Sequence, residues 1–224
     1  MKKILLLVIC VVLGGCAKSD KPSSSTDTAK APAPAPAPAP PDQSEAVLMD
    51  DADYVSATIK SLSPQGRDSL LELIKKNFIY SKDEFKEVGF YKHKNWGNNT
   101  PMRTCMNAYV NTIPTVYLRS NFVGDSWLFH EQAKLSIDGK IIGTDVIRSS
   151  DAIRETIGGG DVFESNTYIM NYDVVKAIAD NVDKTIKVRL EGDKYYRDFT
   201  IPDKDKKAIQ DCWVLWQLLF LKKG

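Results

Sequence analysis

The sequence predicts an α+β domain: one antiparallel β-sheet of about five to seven strands, with an N-terminal helical hairpin ahead of it and a C-terminal helix packed on it. Three observations carry that prediction. Apolar residues recur at helical spacing before Phe85 and again after Asp203, and with a period of two between them. The strand-like runs are joined by turn pairs such as Asp138-Gly139 instead of helical crossovers, so neighbouring strands run antiparallel. Ahead of Val47 there is a single apolar run at the extreme N-terminus and then a polar, Pro/Ala-rich stretch, which leaves residues 47–224 as a single domain.

The elements follow in order. Val47 to Leu62 spaces Val47, Leu48, Val55, Ile59 and Leu62 as a helix would. Ser63-Pro64 then reads as an N-cap with proline at the first helical position, and Leu70, Leu71, Leu73, Ile74 and Phe78 continue a second helix. Val88 to Lys94 and Ala108 to Arg119 read as strands. In Trp127 to Ile137, alternation sets Trp127, Phe129, Ala133, Leu135 and Ile137 on an apolar face and Leu128, His130, Gln132, Lys134 and Ser136 on a polar one. Asp138-Gly139 before Lys140-Ile141-Ile142 is the strongest hairpin signal in the chain. Asn171 to Asn181 reads as a short helix capped by Asn171, and Thr185 to Leu190 pairs with Lys194 to Ile201 across Glu191-Gly192-Asp193. From Asp203 to Leu221, a wide stripe of Ile209, Cys212, Trp213, Trp216, Leu219 and Phe220 marks a helix that packs on a sheet.

Ahead of the domain, Met1-Lys2-Lys3 is followed by the apolar run Ile4 to Leu13, which suits a signal-peptide core and is too short to span a bilayer. Leu13-Gly14-Gly15-Cys16 resembles the lipobox of bacterial lipoproteins, with Gly14 a mild departure. The resemblance implies that residues 1–15 are a signal peptide, that cleavage precedes Cys16, and that the Cys16 thiol takes acyl chains such as palmitate and anchors the chain in a membrane. Ala17, in place of the Asp that favours inner-membrane retention, implies transfer to the outer membrane in a diderm host. The alternative is an ordinary secretory signal. Residues 16–46 form a linker whose Ala-Pro alternation from Ala31 to Pro40 enforces polyproline II, an extended spacer of about 30 Å at about 3.1 Å per residue.

Composition excludes several classes. Of the 30 basic and 29 acidic residues, five and four lie upstream of Val47, so the domain has no net charge and no basic run to bind nucleic acid. With Cys10 and Cys16 set aside, Cys105 and Cys212 are left to form a disulfide, or to stand apart as a loop thiol and an ordinary buried residue on the helix stripe. The two histidines have no metal-like spacing and no cofactor motif is present; His93 lies between two lysines and His130 on the polar side of its strand. Gly158-Gly159-Gly160-Asp161 lacks the strand-to-helix context of a phosphate loop, and the acidic residues around it, Asp145, Asp151, Glu155, Asp161 and Glu164, lack EF-hand spacing for calcium.

Strand aromatics default to the core. Trp96 differs, because it sits in the polar run Lys94-Asn95-Trp96-Gly97-Asn98-Asn99 and is the one candidate ligand contact. The stretch Phe85 to Leu218 resembles a domain of unknown function that recurs in secreted and lipid-anchored bacterial proteins, on Gly89-Phe90-Tyr91-Lys92, Trp127-Leu128-Phe129 and Tyr195-Tyr196-Arg197-Asp198. It implies the sheet-plus-helix fold and no activity. The sequence therefore favours a lipid-anchored, non-enzymatic binding module in the cell envelope, with an envelope protein or peptidoglycan as partner. The alternatives are an inhibitor or immunity protein, and a cell-wall or peptide hydrolase with His130 or Glu131 as its base.

Overall fold

The computed structural model describes residues 61–97, 99–113 and 115–220, all within one compact unit of the chain. The signal peptide, Cys16, the linker and all but the end of the first predicted helix lie outside the described residues. The second helix, α1 (Pro64–Asn77), begins as read: the Ser63 Oγ accepts the Gly66 N–H at 3.1 Å and Pro64 occupies the first turn. It buries Leu70 and Ile74 and ends one residue earlier than the apolar spacing suggested. Phe78 is already strand, because Phe78-Ile79-Tyr80 pairs antiparallel with the next run.

Among the described residues, ten strands form two sheets, where the sequence predicts one of five to seven strands. The first is built from β1 (Phe78–Asp83), β2 (Val88–His93), β3 (Cys105–Asn111), β4 (Val116–Gly124), β7 (Ile153–Thr156) and β8 (Val162–Ile169). Its order is β1-β2-β3-β4-β8-β7, antiparallel throughout. The second holds β5 (His130–Ile137), β6 (Lys140–Gly143), β9 (Ile186–Gly192) and β10 (Tyr196–Thr200) in the order β10-β9-β5-β6. The split has a simple cause. Both edges of β4 are filled, by β3 and β8, so the following strand does not continue the meander beside β4 and pairs with β9 instead. Two further corrections belong to the first sheet. The run Ala108 to Arg119 is two strands, since the Asn111 N–H donates to the Thr115 carbonyl and closes a turn. The interior strand β8 and the edge strands β1 and β7 have no counterpart among the expected strands.

The Asp138-Gly139 turn joins β5 to β6 as read, with φ of 49° and 80° at its two residues. Helix α2 (Tyr172–Ala179) follows Asn171, but that side chain does not cap it; its amide instead bonds Asp145 and the Ile169 carbonyl. Helix α3 (Asp203–Phe220) packs on β3 and α2, burying Ile209, Cys212, Trp213, Leu215 and Leu219 against Met106, Ala108, Val110 and Leu118. Alternation on the first sheet thus gives a core face and an opposite face, and the candidate chemistry divides between the two.

Candidate functional site

On the core face of β4, Ser120 stands between two strands of different sheets. Its Oγ lies 2.9 Å from His130 Nε2 and 3.0 Å from the Tyr168 hydroxyl, and His130 Nδ1 lies 3.3 Å from Glu164 Oε2. This is the hydroxyl, imidazole and carboxylate order of a hydrolytic triad. His130 reaches it only because the alternation predicted for Trp127 to Ile137 is broken. Phe129 has a φ of 52° and the pairing with β9 shifts by one residue between His130 and Gln132, making Glu131 a bulge. Ala133, Leu135 and Ile137 keep the predicted inward face, while His130 turns from the polar side to full burial and Leu128 is buried in place of Phe129.

Glu164 is an internal anion in a cradle. Its Oε1 accepts the N–H groups of Leu128 and Phe129 at 2.5 and 2.8 Å, and its Oε2 accepts that of His130 at 3.1 Å. Arg154 Nε stands 3.6 Å from the same Oε2. The left-handed Phe129 lets three successive N–H groups converge, the geometry of an anion nest filled here by the chain's own carboxylate. Burial pushes the Glu164 carboxyl up, but the hydrogen bonds from His130, Phe129 and Leu128 outweigh it and hold the group below its ordinary range. Gly192 is required here, because a Cβ on it would meet the Leu128 carbonyl oxygen at 2.0 Å.

Access decides what this cluster can do. Ser120, His130, Glu164 and Tyr168 are each 0% exposed. A nucleophile needs its reactant about 3 Å away, and no solvent reaches the Ser120 oxygen. The arrangement is a buried polar joint between the two sheets, with His130 sealed inside it and Glu131 at the bulge beside it; Asn166 Oδ1, in the same joint, has no hydrogen-bond partner.

His93 is held differently. Its Nδ1 accepts the Asn95 N–H at 3.1 Å, so Nε2 carries the proton directed at Asp211, 3.2 Å away. Asn77 and Lys207 also bond Asp211; burial pushes its carboxyl up, but the hydrogen bonds and charges of His93 and Lys207 outweigh that and hold it below its ordinary range. Six residues earlier on α3, buried Asp205 accepts from Asn95 Nδ2, Trp96 Nε1 and the Arg103 guanidinium. Trp96 is therefore a fixed side chain, its indole pinned to α3.

The opposite face of the first sheet carries an open hollow. Register places Lys92 beside Tyr109 and Asn107 beside Arg119, all pointing away from the core, and Trp96, Gly97, Asn99 and Thr100 form its rim. The volume is about 310 Å³, small-ligand size at the low end. Tyr109 stacks on Tyr117 with centroids 4.7 Å apart, and Arg119 sits 5.2 Å from the Tyr109 ring centre while donating to Thr100 and Thr167. Asn107 is 5% exposed, and its Oδ1 has no hydrogen-bond partner. Sequence reading found Trp96 here but missed Asn107 and Arg119, whose only signal is the parity they share on paired strands.

Cys105 and Cys212, left open as a pair or as separate thiols, are free. Cys212 packs in the core with its thiol on the Ala108 carbonyl; Cys105 has the outward parity of Asn107 and lies under Asn121, outside the core cluster. Burial pushes the Cys105 thiol up to about 11 and that of Cys212 well above its ordinary value. Among the described residues, no group of three or more His, Cys, Asp or Glu side chains is placed to hold a metal ion. Of the acidic residues around Gly158 to Gly160, Glu164 is withdrawn into the joint. Comparison with protein-family models, curated proteins and solved structures gave no significant match.

Proposed function

We propose that this chain is a lipid-anchored cell-envelope protein, tethered through Cys16 and, in a diderm host, facing the periplasm or surface from the outer membrane, whose domain is a non-enzymatic binding module with the hollow beside Trp96 as its site. The observation that carries the reading is the contrast in access: the triad-like cluster is sealed, whereas the aromatic and cationic hollow is open and holds a buried acceptor without a partner. The lipobox and the Ala-Pro linker support the anchor. A cell-wall or peptide hydrolase using His130 has less support, because its nucleophile would have no route to a substrate; an inhibitor or immunity protein is one form of the binding module.

The test is photocrosslinking in cells. A photoreactive residue replacing Asn99, at the exposed rim, should capture an envelope component that the same residue replacing Phe85, fully exposed elsewhere, does not. Equal capture from both positions, or none, would count against the site. Metabolic labelling with a fatty-acid analogue should mark the wild type and leave Cys16→Ser unmarked; an unmarked wild type would remove the anchor.

A further inference from the structure

We propose that the hollow takes a single acidic sugar ring, a pyranose bearing a carboxylate with N–H or O–H donors beside it. The inference rests on the reading of the hollow as the module's ligand site and adds the ligand's chemistry. Three features of the lining each specify one property of the occupant.

The first is charge. Arg119 directs Nε to Thr167, Nη1 to Thr100 and Nη2 to the Tyr109 hydroxyl, a fork held by hydroxyls, with no carboxylate bonded to it among the described residues. Two of the five guanidinium N–H groups are left over from these bonds, and Lys92 lines the same space. A guanidinium fixed in an aromatic-walled hollow favours an anion, and a carboxylate matches its fork. The second is the buried Asn107 Oδ1. It is an acceptor already removed from water, so it favours a ligand that carries a donor; an aromatic acid without hydroxyls would leave it unpaired. The third is shape. Phe90, Trp96 and Tyr109 supply flat apolar walls, with Asn99 and Thr100 at the rim, in a volume of about 310 Å³. A pyranose offers C–H faces to aromatic rings and hydroxyls to amides around its edge, and one ring fits where a disaccharide or a folded peptide segment would have to protrude.

Such rings reach an envelope protein from two sources, the muramic-acid residues of wall glycan and the uronic acids of acidic polysaccharides. The experiment is isothermal titration of the full-length lipoprotein in detergent with N-acetylmuramic acid, glucuronic acid, N-acetylglucosamine and inorganic phosphate. The acidic sugars should bind saturably, at least tenfold tighter than N-acetylglucosamine and tighter than phosphate. The tighter of the two acids identifies the source. Arg119→Met should weaken the acidic sugar at least tenfold, Arg119→Lys should weaken it less, and Asn107→Ala should weaken both sugars. Arg189→Met, on the second sheet, should change nothing, and the thermal midpoint of each variant reports whether it is folded. Equal binding of charged and neutral sugars, binding of phosphate as tight as sugar, or indifference to Arg119→Met in a folded protein would overturn the proposal. Failure of every sugar while the Asn99 position still captures a component in cells would sink the ligand class and leave the binding module standing; failure of both would remove both.

Discussion

Arg119 and Ser120 are neighbours on one strand, and they belong to opposite kinds of place. Ser120 points into the junction of the two sheets, where every polar atom of the Ser120, His130 and Glu164 side chains is matched and none meets solvent. Arg119 points the other way, into a hollow where the buried Asn107 Oδ1 is unmatched and a volume stands open. The pair teaches that a constellation of reactive residue types is not a site. What separates structure from function here is access, because a dry cluster offers nothing to a ligand, whereas an open hollow lined by a cation and aromatic rings does.

If the joint is structural, breaking it should cost most. Glu164→Ala leaves three N–H groups, the His130 ring and Arg154 without their buried acceptor, and a loss of about 3–5 kcal/mol is expected, read as a shift in denaturant midpoint at unchanged slope. A loss below about 1 kcal/mol would show that the cradle does not hold the sheets together.

Gly192→Ala tests the same loop from its neighbour. A Cβ 2.0 Å from the Leu128 carbonyl forces the cradle to shift, at about 1–3 kcal/mol. An unchanged midpoint would mean that the loop yields freely.

Acid should act through Glu164 and Asp211, whose carboxyls lie below their ordinary ranges. A carboxyl lowered on folding contributes stability that is fully present above its unfolded value, about 4.3 for Glu and 3.9 for Asp, and that is lost as pH falls through the folded value. The thermal midpoint should therefore hold between about pH 6 and 7 and drop below about pH 4.5, with a shallower drop in Glu164→Gln. A midpoint that falls equally in both proteins would assign the acid limb to other groups.

Ser120→Ala should cost about 1–3 kcal/mol, because it leaves His130 Nε2 and the Tyr168 hydroxyl without their buried partner. It should leave ligand binding intact, whereas loss of a catalytic turnover with this substitution would restore the hydrolase reading. Smallest of all should be the effect of Arg119→Met on stability, under about 1 kcal/mol, in a variant that nonetheless loses its ligand. A large destabilisation there would make Arg119 part of the scaffold and blur the contrast between the two faces.

Local signals were legible. Ser63-Pro64 opens α1, Asp138-Gly139 turns β5 into β6, and the stripe of α3 is buried along the residues the period named, because caps, left-handed turns and helical faces depend on a few consecutive residues. The strand β8 was not legible for the opposite reason. Its core-facing residues are Val162, Glu164, Asn166 and Tyr168, so the strand that buries most of the joint carries no apolar alternation. His130 was misplaced by a single bulge, since one extra residue reverses the face of everything on one side of it. Trp96 was found as a loop tryptophan outside the strands, but its indole bond to Asp205 joins residues 109 positions apart and has no trace in the local pattern.

The sequence by itself determined that a Pro/Ala-rich segment precedes one α+β domain, that its strands pair antiparallel, and where the helices containing Leu70 and Cys212 lie, because propensity, period and turn chemistry act over neighbouring residues. Only the tertiary structure decided that the strands divide into two sheets, that Ser120, His130 and Glu164 meet in a sealed joint, and that Asn107 and Arg119 face an open hollow. Those outcomes depend on which strand edges are already filled and on which side of a bulge a residue falls, and both are settled by pairing across the chain.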